Sequence, residues 1–200
     1  PAQTAATAIC FRCQGEQVQV TLPGIARLLI RHGNEIIFSP IDIARQDAIL
    51  LYILNHALAI LMLQRGLLVL HAGAFVQKNS AIAIAGPTGQ GKSTLLARLW
   101  QQGHAVLADE HVAIQLDNDR ATVLPGLPML QLWEPALQAL GITHRHAGAV
   151  RQGLHKYWLP TDNTPVVNPA PLVCLQALQW SKDQTQHRLP VSGADKLPLL

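Results

Sequence analysis

The residues best able to do chemistry in this 200-residue chain are Gly86-Pro87-Thr88-Gly89-Gln90-Gly91-Lys92-Ser93-Thr94. Two glycines bracketing four residues, followed by Lys and then Ser, have the spacing of a phosphate-binding loop. Gly86, Gly89 and Gly91 let the backbone curl, partly at positive φ, so that N–H groups point inward at phosphate oxygens. Lys92 brings a positive charge to the terminal phosphates, and the Ser93 hydroxyl can hold a Mg²⁺ that bridges them. The helix expected from Ser93 turns its positive dipole end towards the same anion. A Gly-rich surface turn could match the pattern by chance, so the flanks decide. Ala81-Ile82-Ala83-Ile84-Ala85 reads as a buried strand before the loop. After it, Leu95, Leu96, Leu99 and Trp100 fall on one helical face, with Gly103 as terminator.

The order of elements brings further groups to this loop. Leu67 to Val76 reads as a strand, joined by the turn Gln77-Lys78-Asn79-Ser80 to strand 81–85 in an antiparallel hairpin. With Val76 opposite Ala81, His71 falls opposite Gly86, which puts an imidazole beside the γ-phosphate position; a structural histidine is the other reading. The helix from Ser93 leads through Gly103-His104 into Ala105-Val106-Leu107-Ala108. Such a crossover should be right-handed and leave the two strands parallel, with their carboxyl ends on one edge. Asp109 and Glu110 stand at that end. One carboxylate there can hold Mg²⁺, directly or through water, and one can take a proton from an attacking hydroxyl. The alternative is a solvated strand end.

The remaining elements form the frame. Residues from about Ala8 to Phe38 read as short strands with turns at Gly15-Glu16, Pro23-Gly24 and His32-Gly33-Asn34, a small sheet. Ser39-Pro40-Ile41-Asp42 reads as a helix start with Ser39 as N-cap, the helix running to Arg65 with Gly66 as its stop. Its second half is apolar nearly all round, which implies burial between layers. A second hairpin is expected around Asp117-Asn118-Asp119-Arg120, a short helix within Leu130–Leu140, and a strand over Leu172–Trp180. The stretch from Ile142 to Lys156 is basic and contains glycine; it reads either as a lid over a triphosphate or acidic peptide or as a solvated connector.

Composition narrows the classes. Hydrophobic residues are 49% and charged residues 14%, so a substantial core is expected and disorder is not. A net charge of +3 is too mild to argue for nucleic acid. Three cysteines, Cys10, Cys13 and Cys174, suggest no disulfide framework and a reducing cytoplasm. Cys10 and Cys13 have the spacing of half a zinc site with no second half, so a strand is expected there. The apolar run Ala48–Leu63 is interrupted by Asn55 and His56 and reads as a core helix, not a membrane span.

The stretches Leu70-His71-Ala72-Gly73-Ala74, Gly86 to Thr94, and Arg98-Leu99-Trp100-Gln101-Gln102-Gly103-His104-Ala105-Val106-Leu107-Ala108-Asp109-Glu110 together resemble the catalytic domain of HPr serine kinase/phosphorylase. The resemblance is best over residues 67–111. It continues more faintly through Pro125-Gly126-Leu127-Pro128-Met129-Leu130-Gln131-Leu132-Trp133 and Lys156-Tyr157-Trp158-Leu159-Pro160, which look like the shorter HPr-kinase-like proteins found with ribosomal-peptide tailoring genes, lasso-peptide kinases among them. The resemblance implies that Lys92 is the phosphate-loop lysine, Ser93 the metal-binding hydroxyl, Asp109 the aspartate that activates the substrate serine, and His71 the active-site histidine. Glu110 stands where the family has a second Asp.

The expected fold is therefore α/β: a P-loop domain of the HPr kinase type, a mixed sheet with flanking helices over 39–200, plus a small amino-terminal β subdomain over 1–38. The expected reaction is ATP- and Mg²⁺-dependent transfer of the γ-phosphoryl to a serine hydroxyl of a peptide or small protein, a lasso-type precursor peptide first among them. Asp109, His71 and Lys92 carry the catalysis, residues 86–94 the nucleotide, and Ser93, Asp109 and Glu110 the metal. Arg145, Arg151 and Lys156 of the basic stretch are the acceptor-binding candidates. The resemblance also admits a homo-oligomer. HPr kinase activity itself, a small-molecule kinase and a nucleotide-binding switch are the competing readings.

Overall fold

The computed structural model describes residues 8–142, 146–161, 168–179 and 189–191. The chain divides into two units, one of Pro1–Leu68 with Val150–Leu154, the other of Val69–Ala149 with His155–Leu200.

In the first unit, period-two patterning and Gly-containing turns give a four-stranded antiparallel meander: β1 (Cys10–Gln14), β2 (Gln17–Leu22), β3 (Ala26–Arg31) and β4 (Glu35–Pro40), in that order. All three expected turns fall between these strands, with Gly15, Gly24 and Gly33 at positive φ. The helix α1 spans Ile43–Gln64, 22 residues with a π-helical turn over Ile53–Ala57. Ser39 is not its cap. Ser39 and Pro40 close β4, paired with Arg27 and Ala26, and the ladder holds them extended. Asp42 caps instead, its carboxylate accepting from Ala44 N at 3.0 Å. At the other end Gly66, at φ 77, lets its own N–H and that of Leu67 return to Leu63 and Met62 as the sequence suggested.

The expected burial of α1 between layers is not what the structure has. Ile49, Ala57 and Leu61 pack on Val20, Leu22, Ala26, Leu28 and Ile30 of the meander, while Leu50 and Leu63 are exposed. One face finds a sheet and the rest does not. By length and composition alone α1, with a mean hydropathy of 1.6 over its best window, is long and apolar enough to cross a membrane.

The second unit is built on a seven-stranded mixed sheet. Its strands are β5 (Leu68–Leu70), β6 (Ala72–Gln77), β7 (Ser80–Ala85), β8 (Val106–Ala108), β9 (Val112–Asp117), β10 (Arg120–Val123) and β13 (Ala170–Ala177). A separate two-stranded ribbon joins β11 (Met129–Trp133) to β12 (Lys156–Pro160). The helices are α2 (Lys92–Gln101) and α3 (Glu134–Ala139). The sheet order is β5-β9-β10-β13-β7-β6-β8. The expected α/β class, with a mixed sheet, flanking helices and a small amino-terminal sheet, is thus what the chain forms.

Two features of this order position the site. First, β6 lies between β7 and β8 and is antiparallel to both, so β7 and β8 run parallel without touching. Second, the single expected strand 67–76 is broken at His71. Its two halves, consecutive in sequence, lie near opposite ends of the sheet order, so the sheet curls until those ends approach each other at His71. Alanines make a tight curl possible: Ala72, Ala74, Ala81, Ala83 and Ala85 fill its inner face with Leu107, Val112, Ile114 and Val123. The outer face carries Phe75 and Ile84 under Leu96, Ala97 and Trp100 of α2 and Leu130, Leu132 and Leu159 of the ribbon. Gly73 is the point of closest approach, since a Cβ there would run into the Leu96 methyl.

The short helix expected within 130–140 is α3, Glu134–Ala139, with Gly141 just beyond its end. Met129–Trp133 is strand, because its alternate residues Leu130 and Leu132 cover the outer core while β12 supplies a partner; the helix begins after it, at Glu134. Lys156 likewise belongs to a strand, not to a basic loop. Arg145, His144 and Trp180 lie outside the described residues.

Candidate active site

The loop between β7 and α2 has the backbone its glycines predict. Gly86, Gly89 and Gly91 adopt φ values of 142, 87 and 89. Gly91 is the N-cap of α2, with no side-chain cap. A Cβ built on Gly89 or Gly91 meets nothing within 4 Å, so the loop borders open space. Lys92 shares the buried stripe of α2 with Leu96 and Trp100, at four-residue spacing, which turns its stem inward. Its ammonium donates to Gly86 O at 2.7 Å and Pro87 O at 3.2 Å, and stands 3.2 Å from His71 Nε2.

An ammonium can only donate, so Nε2 of His71 accepts and the ring proton sits on Nδ1. Nδ1 then donates to the Glu110 carbonyl at 3.1 Å. The hairpin register explains why His71 is here: Val76 pairs with Ala81 and Ala72 with Ala85, so His71 is the next residue towards Gly86.

Asp109 and Glu110 follow β8. Asp109 Oδ1 accepts from Ser93 Oγ at 2.9 Å, and Oδ2 accepts from Gln131 N at 2.9 Å. Burial raises the Asp109 carboxyl to about 6; the bonds from Gln131 and Ser93 oppose that rise, and the Glu110 charge adds to it. Glu110 takes φ 68, and His111 N bonds back to Asp109 O at 2.9 Å. These are the marks of a γ-turn at positive φ, a strained arrangement for a residue with a side chain. The turn aims Glu110 at one cation, Lys156, and at the His71 ring. Lys156 Nζ lies 2.6 Å from Oε1, and His71 Nδ1 lies 3.7 Å from Oε2. Burial pushes the Glu110 carboxyl up, yet Lys156, through its hydrogen bond and its charge, with His71 and His111, overrides burial and leaves it below the usual range. Burial holds the Lys92 ammonium below its ordinary value; Glu110 and Asp109 pull it back up, while Lys156 lowers it further.

The structure therefore brings His71, Lys92, Ser93, Asp109, Glu110 and Lys156 together, from four separate stretches of the second unit. Arg151 belongs to the first unit, where its charge acts on Asp47 and Gln152 N donates to the same carboxylate at 2.6 Å. The sequence reading missed Gln131. Its backbone reaches Asp109 because Gly126, which packs without a Cβ against Ala108 and donates to Leu107 O at 2.7 Å, swings the chain across the end of β8. Pro125-Gly126-Leu127-Pro128 was legible as a corner, but not where it led.

The residues fit both groups that the motif implies. Open space beside two left-handed glycines, an uncapped helix start and an inward lysine suit a phosphate chain. A hydroxyl and two carboxylates suit Mg²⁺, which keeps several waters and takes its other ligands from phosphate. Among the described residues no group of three or more His, Cys, Asp or Glu could hold a metal ion by itself.

Fold and loop together define a phosphate-loop α/β domain. No protein-family model and no curated protein matches the chain. Among solved structures it is similar to the Hpr(Ser) kinase/phosphatase from Coxiella burnetii, at 16% identity and a TM-score of 0.37. The match covers 55% of this chain and 64% of that one. A likeness this slight leaves the chemistry to the residues themselves.

Proposed function

We propose that the chain is a kinase that uses ATP and Mg²⁺ to phosphorylate a serine hydroxyl of a peptide or small protein. The observation that carries this reading is Asp109, raised to about 6 and held against Ser93 at the mouth of the phosphate loop. A general base is most effective when its pKa approaches the working pH. The phosphates lie along residues 86–94, with Lys92 exchanging its contacts to Gly86 and Pro87 for phosphate oxygens. Ser93, Asp109 and Glu110 would hold Mg²⁺, which would supply positive charge against the phosphates. Release of the Ser93 hydroxyl from Asp109 Oδ1 would leave that oxygen open to the acceptor. The serine gives its proton to Asp109 as its oxygen bonds the γ-phosphorus. The bond from that phosphorus to the β–γ bridging oxygen breaks, and ADP leaves. His71, with its proton on Nδ1, keeps Lys92 and Glu110 in register.

The acceptor is read from the sequence resemblance: a ribosomal precursor peptide of the lasso type. The test is incubation with labelled ATP, Mg²⁺ and a panel of precursor peptides and HPr, followed by mass spectrometry. Phosphoserine on a peptide, lost in Asp109→Asn, is the expected result. Phosphate on a small metabolite would replace the acceptor class, and bound nucleotide without any transfer would leave a switch.

A further inference from the structure

Lys156 reaches Glu110 from 46 residues away, and both side chains are largely withdrawn from water, 17% and 18% exposed. Ion pairs this dehydrated add little net stability, because lost hydration offsets the attraction. The pair is therefore a weak structural device. Its setting suggests another use. Lys156 opens β12, whose Leu159 is fully buried and whose Tyr157 pairs with Leu132, so the strand is fixed and only the lysine stem can swing. The same ribbon holds Asp109 through Gln131 N, which ties the position of Lys156 to that of the carboxylate. On the other side stands Lys92, and the charges of the two ammonium groups act on each other across the site. Glu110 and Asp109 offset that repulsion, and two ammonium groups facing one site suit an anion of higher charge than a carboxylate, such as a phosphate chain.

We propose that Lys156 is a second phosphate cation of this site, supplied from β12 and parked on Glu110 until a triphosphate arrives. This rests on the kinase reading above. On binding, the long lysine stem exchanges the Glu110 carboxylate for a phosphate oxygen, a change a flexible point charge makes readily. Glu110 is then left with free lone pairs for the divalent cation. One side chain thus couples the two ligands: without nucleotide the metal meets a carboxylate already occupied by Lys156, and with it a free one.

The test is equilibrium binding of ATP, with EDTA and with Mg²⁺, to wild type, Lys156→Met, Glu110→Gln and the double variant, beside binding of Mn²⁺ alone followed by electron paramagnetic resonance. Lys156→Met should lose roughly ten- to hundredfold in ATP affinity, the range of a charge-assisted hydrogen bond, and should bind Mn²⁺ without nucleotide more tightly than wild type. The double variant removes the unpaired carboxylate, and so keeps the question answerable if Lys156→Met folds poorly; it should show the same loss for ATP. Recovery of ATP affinity in the double variant would reduce Lys156 to a counter-ion of Glu110. Unchanged ATP affinity in Lys156→Met, or an effect only on the KM for a peptide acceptor, would likewise overturn the proposal while leaving the kinase reading intact. A wild type that binds no ATP would remove both.

Discussion

The Ser93 hydroxyl donates to Asp109 Oδ1 at 2.9 Å, so the first turn of α2 is tied directly to the end of β8. The serine that would hold the metal thus occupies the oxygen that would take the acceptor's proton. Binding and chemistry therefore compete for one contact, and several outcomes are predicted from that.

Asp109→Asn keeps the Gln131 and Ser93 contacts in shape but removes the base. Transfer should fall by roughly 10²–10⁴-fold, the usual worth of a positioned general base, while ATP still binds. Phosphopeptide yield and ATP titration on the same sample check both halves; unaltered turnover would take Asp109 out of the base role.

The pH profile should follow the same carboxyl. With Asp109 at about 6, transfer should rise with pH towards that value and level off above it. Stability has the opposite sign. The folded-state pKa lies above the ordinary 3.8, so between about pH 4 and 6 the folded chain keeps a proton that the unfolded chain releases, and stability falls as pH rises through that window. At about 1.4 kcal/mol per pKa unit the loss is at most about 3 kcal/mol. Urea unfolding of the nucleotide-free protein at pH 5 and 7.5 should show this fall in wild type and a smaller one in Asp109→Asn. Equal pH dependence of the two would assign the window to other groups.

Lys92→Ala should weaken ATP by roughly ten- to hundredfold and stop transfer, since three polar groups now face the place its ammonium occupied. Full activity in that variant would sink the phosphate-loop reading. The overall fold should survive, and the circular-dichroism melt is the control.

Gly73→Val tests the frame. The new side chain would press into Leu96, forcing α2 away from β6 at a cost of about 1–3 kcal/mol. The displacement should also loosen the loop that α2 begins, so ATP affinity should fall although residue 73 touches no ligand. A melting temperature equal to wild type would contradict the close approach.

Local chemistry was readable from the sequence because it is written in short-range patterns. The loop glycines, a turn within Gln77-Lys78-Asn79-Ser80 and the register of Val76 with Ala81 all follow from residue type and spacing, and the register carried His71 to Lys92. Asp42 against Ser39 shows the limit. Both are good caps, and the choice fell to a strand ladder that Ser39 enters through a partner twelve residues earlier. The α1 face was misjudged for a similar reason: apolar periodicity says what could be buried, whereas the area of the meander sets how much is.

What the sequence determined by itself was the phosphate loop, the helix after it, the hairpin before it and the carboxylates at the next strand end. Each depends on neighbours within about thirty residues. What only the tertiary structure decided was the break at His71 that lets the sheet curl, the Gly126 corner that brings Gln131 to Asp109, and the descent of Lys156 onto Glu110. Those contacts join segments far apart in the chain, and non-local pairing is fixed by how the whole core packs, not by any one stretch of residues.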